Sequence, residues 1–320
     1  MNRPPPPPPA LLQTPGFAHY SLAWSPFHST RLALASAANY GLVGNGRLHL
    51  VSLGPGPGGV PGLSIDKCYD TQDGLYDVAW SEVHENQLVT ASGDGSIRLW
   101  DIMLNWSPER PHSLSTLHAH RACVYQALFS PHQPDTIATC STDGTLKIFD
   151  LRAPAYAAPA PGGAPGSFTA PLSAAALTVP ASGTEVLALD WNKYRPWVLA
   201  SAGVDKAVKV WDCRMVKMGA GAGTGAEQQA VGGLCETHMA GHEYAVRRVQ
   251  WSPHRPDVLA TASYDMTCRV WTTTPTAAGT HLLYIHDPHT EFVVGCGWSL
   301  YDDGLLASCG WDSRLNVFRV

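Results

Sequence analysis

Five carboxylates stand at one fixed spacing in this chain. Asp94, Asp143, Asp205, Asp265 and Asp312 each follow an aromatic residue by fourteen positions and precede another by six. The framing pairs are Trp80 and Trp100, Phe129 and Phe149, Trp191 and Trp211, Trp251 and Trp271, and Trp298 and Phe318. Three imidazoles keep a register of their own: His120, His242 and His289 each lie nine residues before the first aromatic of a frame. Imidazole and carboxylate groups can move a proton or hold a metal ion. Their recurrence in unit after unit argues instead for a structural role. No nucleophile elbow, phosphate loop before a helix or metal-ligand spacing occurs elsewhere. The sequence therefore predicts no catalytic residue, no metal and no cofactor.

The elements that carry these residues are short strands. In Leu75 to Trp80, Leu75, Asp77 and Ala79 fall on one face and Tyr76, Val78 and Trp80 on the other. Gln87 to Ser92 and Ser96 to Trp100 are further short runs, parted by Gly93-Asp94-Gly95. That triplet suits a hairpin, since Gly tolerates positive φ and Asp bonds the backbone of its own turn. Spacing that is constant within units and variable between them marks a repeat architecture whose units stack to share a core. A looser first unit carries Trp24, with Asn45 and Val51 in the later positions. The expected fold is all-β, a ring of sheet blades.

Composition narrows the function classes. Hydrophobic residues make up 45% of 320, enough for a large shared core. The net charge of −5 comes without a basic stripe, so no nucleic-acid partner is expected. The eight cysteines include no CxxC pair, which argues against zinc and a disulfide framework. No apolar stretch approaches the length of a membrane span, and Met-Asn-Arg followed by prolines is no secretory signal. Residues 1–13 read as a proline-rich tail, whose Pro4 to Pro9 tract suits polyproline II, and residues 14–320 as the repeat domain. Residues about Leu11 to Pro15 are expected to supply the outer strand of the last unit. Gly54 to Gly62, Ala153 to Ser182 and Gly219 to Gly233 are too poor in apolar residues to order themselves and read as surface loops.

The units resemble WD repeats, through Trp100-Asp101, Trp211-Asp212, the variant Phe149-Asp150, and Gly241-His242 ahead of Trp251. That resemblance implies a β-propeller of four-stranded blades. It also implies a buried network of the His, a strand hydroxyl, the turn Asp and the strand Trp. More specifically, the chain resembles the peroxisomal import receptors for type 2, N-terminal, targeting signals. This likeness is carried by Thr14 to Phe27, Ala38 to Gly46, Asp73 to Glu82, Gly241 to Val249, Ser263-Tyr264-Asp265 and His289 to Phe292. Such receptors have seven blades, whereas six units are visible here. The join at Asn105-Trp106 reads as the place where a repeat is missing.

The resemblance implies a binding protein that cycles between cytosol and peroxisome. Its partners would be cargo proteins, a co-receptor (the type 1 signal receptor or an equivalent peroxin) and a docking complex at the peroxisomal membrane, without membrane insertion. The signal it implies runs Arg-Leu, five residues, His or Gln, Leu, presented as an amphipathic helix. Residues before the turn Asp and at the entry to each first strand would face it. Asp73, Glu185, Glu243 and Glu291 are the candidates for its arginine, and Tyr244, Tyr264, Phe292 and Trp311 for its leucine face. Trp211-Asp212-Cys213-Arg214 and Phe149-Asp150-Leu151-Arg152 also resemble the ending found in WD-repeat substrate receptors of cullin ubiquitin ligases, the alternative function.

Overall fold

The computed structural model describes residues 12–39, 45–55, 61–103, 113–152, 175–217, 231–312 and 315–320. All regular elements among them are strands. The chain divides into two compact units, Met1–Leu117 and His118–Val320.

The first unit holds two antiparallel sheets. One has β1 (Phe17–Trp24), β2 (Arg31–Ala38), β3 (Gly46–Pro55) and β4 (Pro61–Thr71) in that order; the other has β5 (Leu75–Trp80), β6 (Gln87–Ser92), β7 (Ser96–Asp101) and β8 (Ser115–His118). Leu48, Leu75, Leu88 and Trp100 are fully buried between them, and the Trp80 indole donates to the Ala23 carbonyl at 3.0 Å.

The second unit continues the pattern with β9 (Val124–Phe129), β10 (Thr136–Ser141), β11 (Thr145–Asp150) and β12 (Leu177–Pro180). Next come β13 (Val186–Trp191), β14 (Val198–Gly203), β15 (Val208–Lys217) and β16 (Val231–Met239). β17 (Val246–Trp251), β18 (Val258–Ser263), β19 (Cys268–Thr272) and β20 (Leu282–His286) form the next blade; β21 (Val293–Trp298), β22 (Leu305–Gly310) and β23 (Leu315–Arg319) form the last. A parallel bridge between Thr178 of β12 and Val231 of β16 joins two of these blades into one eight-stranded sheet.

Successive blades in this unit are tied by side chains of their innermost strands. Gln126 accepts from the Leu189 amide at 3.0 Å, Asp190 from the Trp251 amide at 2.8 Å, and Gln250 from the Trp298 amide at 3.0 Å. Each bond fixes one inner strand against the next, so residues at equivalent repeat positions are presented side by side.

Three expectations need correction. The run from Ala153 to Ser182 is not loop throughout, because β12 pairs with β11 and buries Leu177 and Val179. Likewise β3 and β4 reach Pro55 and Pro61, and β16 starts at Val231, so the ends of the other two low-complexity stretches are ladder-paired. Residues 12–16 form no strand; Leu12, half-buried, packs instead on the cluster of Leu32, Leu34 and Val51 in the first sheet. The proline tract and the Asn105-Trp106 join lie outside the described residues.

Candidate functional site

The fixed spacing of the Asp residues has a local cause. In four blades the carboxylate Oδ1 accepts the amide two residues on: Ser96 at 2.9 Å, Thr145 at 3.0 Å, Ala207 at 3.2 Å and Thr267 at 3.1 Å. The residue between is left-handed, being Gly95 and Gly144 in two blades but Lys206 and Met266, with φ of 65° and 66°, in the others.

The same carboxylates meet the three histidines. His242 donates from Nδ1 to Asp265 Oδ2 at 2.7 Å, while its Nε2 meets Thr261 Oγ1 at 2.7 Å. The Trp271 indole donates to that hydroxyl at 2.8 Å, completing a relay of four side chains. His120 bridges Asp143 at 2.9 Å and Thr139 at 2.7 Å, and His289 bridges Asp312 and Ser308, both at 2.9 Å. Phe149 and Phe318 stand where the indole would be, so those two relays stop at the hydroxyl. Among the described residues Asp94 and Asp205 have no histidine partner and face cations, Arg98 at 2.9 Å and Lys209 at 2.6 Å.

Burial lowers the pKa of His120 and His242, so both rings are neutral at pH 7. Burial alone would raise Asp143 and Asp265, but the bonds from His120 and Thr145, and from His242, Thr267 and the Glu243 amide, hold both carboxyls far below the ordinary range.

A basic residue four positions after the turn Asp belongs to the same arrangement and was missed from sequence. Lys147, Lys209 and Arg269 donate to the carbonyls of Ala119, Ala181 and Gly241 at 2.7, 2.8 and 2.7 Å. The signal was present as Arg98, Lys147, Lys209 and Arg269 at constant offset.

The loop candidates are positioned by a second recurring bond. The residue before each turn Asp donates its amide to a carbonyl just ahead of, or at the entry to, the blade's first strand. The pairs are Gly93 to Gly74 and Thr142 to Cys123, then Val204 to Glu185, Tyr264 to Ala245 and Trp311 to Phe292, at 2.9–3.1 Å. This pin sets Trp311 beside Phe292, their ring centres 5.2 Å apart. Tyr264, from the neighbouring blade, lies 5.0 Å from Phe292 and 6.5 Å from Trp311. Three of the four predicted aromatics thus form one cluster, and Trp311 leaves 64% of its surface exposed. Tyr244 stands apart, 59% exposed, with the Lys206 ammonium 5.9 Å from its ring centre.

The acids divide. Glu185, Glu243 and Glu291 are exposed, and among the described residues their carboxylates make no hydrogen bond or ion pair. Asp73, in the first unit, accepts the Gly74 amide at 2.7 Å. Arg152 and Arg214, the cations of the alternative motif, fold back on their own Asp150 and Asp212, at 2.9 and 3.0 Å from Nε.

The family described as WD domain, G-beta repeat matches residues 64–101, 111–150, 176–212 and 233–272. The fold class is all-β, of the WD-repeat β-propeller type. The chain is 32% identical to the peroxisomal targeting signal 2 receptor of Saccharomyces cerevisiae, over 95% of this chain and 97% of that protein. It is 35% identical to peroxisome biogenesis protein 7 of Arabidopsis thaliana, over 95% of each. A human protein, also named peroxisomal targeting signal 2 receptor, is 30% identical over 89% of this chain and 87% of its own length. The chain belongs to the peroxisomal targeting signal 2 receptor family. Relatives in this family are named as receptors, a class defined by binding. The relay residues and the aromatic cluster are separate sets of side chains.

Proposed function

We propose that this chain is a receptor for the type 2 peroxisomal targeting signal, binding the N-terminal signal of cargo proteins for delivery, with a co-receptor, to the peroxisomal membrane. It would cycle between cytosol and peroxisome. One observation carries the reading at the level of residues: Tyr264, Phe292 and Trp311, from two adjacent blades, join in an aromatic cluster whose Trp311 is exposed and whose other two rings are half-buried. Aromatics gathered in this way at loop positions suit the apolar stripe of a helix. Glu291, which precedes Phe292 of that cluster, and Glu243, which precedes Tyr244, are fitted to a ligand arginine; Glu185 and Asp73 are further candidates. The relay residues His120, His242, His289, Asp94, Asp143, Asp205, Asp265 and Asp312 hold the loops rather than touch the ligand. No observation favours the cullin-receptor alternative, because Arg152 and Arg214 are already paired within their own turns.

The test is titration of a labelled signal peptide into the purified chain with co-receptor present. Trp311→Ala and Tyr264→Ala should each weaken binding by roughly tenfold or more, and more than Glu243→Gln or Glu291→Gln, because aromatic anchors dominate such interfaces. Unchanged affinity in all four variants, with wild-type melting, removes the cluster from the site.

A further inference from the structure

The left-handed position after the turn Asp is filled differently from blade to blade. Gly95 and Gly144 adopt it without strain, at φ of 82° and 81°. Lys206, at 65°, sets its ammonium 5.9 Å from the centre of the Tyr244 ring. Met266, at 66°, leaves 40% of its surface exposed. L-residues are disfavoured in this conformation, and apolar side chains are disfavoured in water, so Met266 combines two unfavourable terms that glycine would avoid. The turn around it is bonded tightly enough to hold the strain. Ser263 donates its amide to the Thr267 carbonyl at 3.2 Å, and Asp265 accepts the Thr267 amide at 3.1 Å and its hydroxyl at 2.6 Å.

The repeat shows which way this side chain leaves the turn. At Gly144 a Cβ would run into the Ser182 carbonyl and stand 3.2 Å from that of Thr184, both in the loop that enters the next blade. Ser182 lies nine residues before Trp191, as His289 lies nine before Trp298. The loop at the corresponding place for Met266 is therefore His289 to Glu291, immediately ahead of Phe292. Tyr264 is two residues before Met266, so their Cα atoms are at most about 7 Å apart. The rings of Tyr264 and Phe292 already meet, with centres 5.0 Å apart.

We propose that Met266 is a ligand-binding residue, extending the cluster of Tyr264, Phe292 and Trp311 with an unbranched apolar chain that packs on an aliphatic side chain of the bound helix. The inference rests on the receptor reading given above. The three rings offer rigid surfaces, whereas a thioether chain with three rotatable bonds follows the shape of what lies against it. The strained turn fixes where that chain begins.

The experiment pairs binding with melting in the full chain, using a fluorescent peptide of the type 2 signal pattern with co-receptor present. Met266→Gly should melt no lower than wild type, because glycine relieves the left-handed strain, yet bind the peptide about fivefold more weakly. Met266→Gln keeps the length and the backbone strain without the apolar surface; it should melt like wild type and lose a similar factor. Met266→Leu should stay within about twofold of wild-type affinity. Wild-type affinity in both Met266→Gly and Met266→Gln overturns the assignment. Melting of Met266→Gly well below wild type also overturns it, by making the side chain part of the fold. Trp311→Ala separates the two readings. If it weakens binding while the Met266 variants do not, Met266 alone leaves the site; if the wild-type chain captures no peptide, the receptor reading fails and this one with it.

Discussion

Replacing Asp265 by Ala removes the acceptor for five donors. Oδ2 takes the His242 Nδ1–H at 2.7 Å, the Glu243 amide at 3.1 Å and Arg269 Nη2 at 3.3 Å; Oδ1 takes the Thr267 amide at 3.1 Å and its hydroxyl at 2.6 Å. Arg269 keeps the Gly241 carbonyl. Glu243 is exposed and Thr267 half-buried, so water can replace much of what those groups lose. The His242 side chain is fully buried, and its orphaned N–H bears a desolvation cost of about 1–3 kcal/mol. Loss of the turn bonds adds roughly 1 kcal/mol, for a total of about 2–4 kcal/mol. Asp205→Ala is the control within the fold. Its partners are the Lys209 ammonium at 2.6 Å, the Ser182 hydroxyl at 3.0 Å and the Ala207 amide at 3.2 Å, with no imidazole among them. Lys209 also keeps the Ala181 carbonyl, so the expected loss is about 1 kcal/mol. Denaturant unfolding of both variants without peptide measures the difference. Equal destabilisation, or a loss at Asp265 within about 0.5 kcal/mol of zero, would refute the assignment of the energy to the buried His–Asp bond.

Acidification should destabilise the fold in two stages. His120 and His242 are held below their ordinary 6.5 by burial, so from about that pH downward the unfolded chain binds protons that the folded one refuses. Asp143 and Asp265, ordinarily near 3.8, extend the loss at lower pH; a urea midpoint that stays flat from about pH 7 to pH 5 contradicts the first stage. Deleting Ala158 to Pro171 should leave melting and peptide binding nearly unchanged, since the closure entropy of a long loop varies only slowly with its length. A drop in either assay would place an interaction in that stretch.

The relays were legible in sequence because each lies within one repeat. A turn Asp bonds an amide two residues away, and the His meets a carboxylate of its own repeat, so constant spacing reports constant geometry. Strand β12 was not legible: Leu177 and Val179 close a run rich in Ala, Pro and Gly, and only pairing with Ile148 and Leu146 makes them core. The cluster of Tyr264, Phe292 and Trp311 was half legible. Each residue could be placed at a loop position, but their meeting depends on two blades being registered by the Gln250 bond to the Trp298 amide.

Arg247 shows the same dependence. In its own strand it is one of two consecutive arginines with no marked spacing. Its guanidinium lies 5.4 Å from the centre of the Tyr125 ring and donates to the Leu187 carbonyl at 3.4 Å, both in blades more than fifty residues away in the chain. Stacking therefore brings the unremarkable second residues of three innermost strands into contact. The repeat bonds make that stacking reproducible, while the residues they present are free to differ from blade to blade. A propeller-type blade can thus keep one skeleton of Asp, His and aromatic positions and still bring rings from two blades together at one loop cluster.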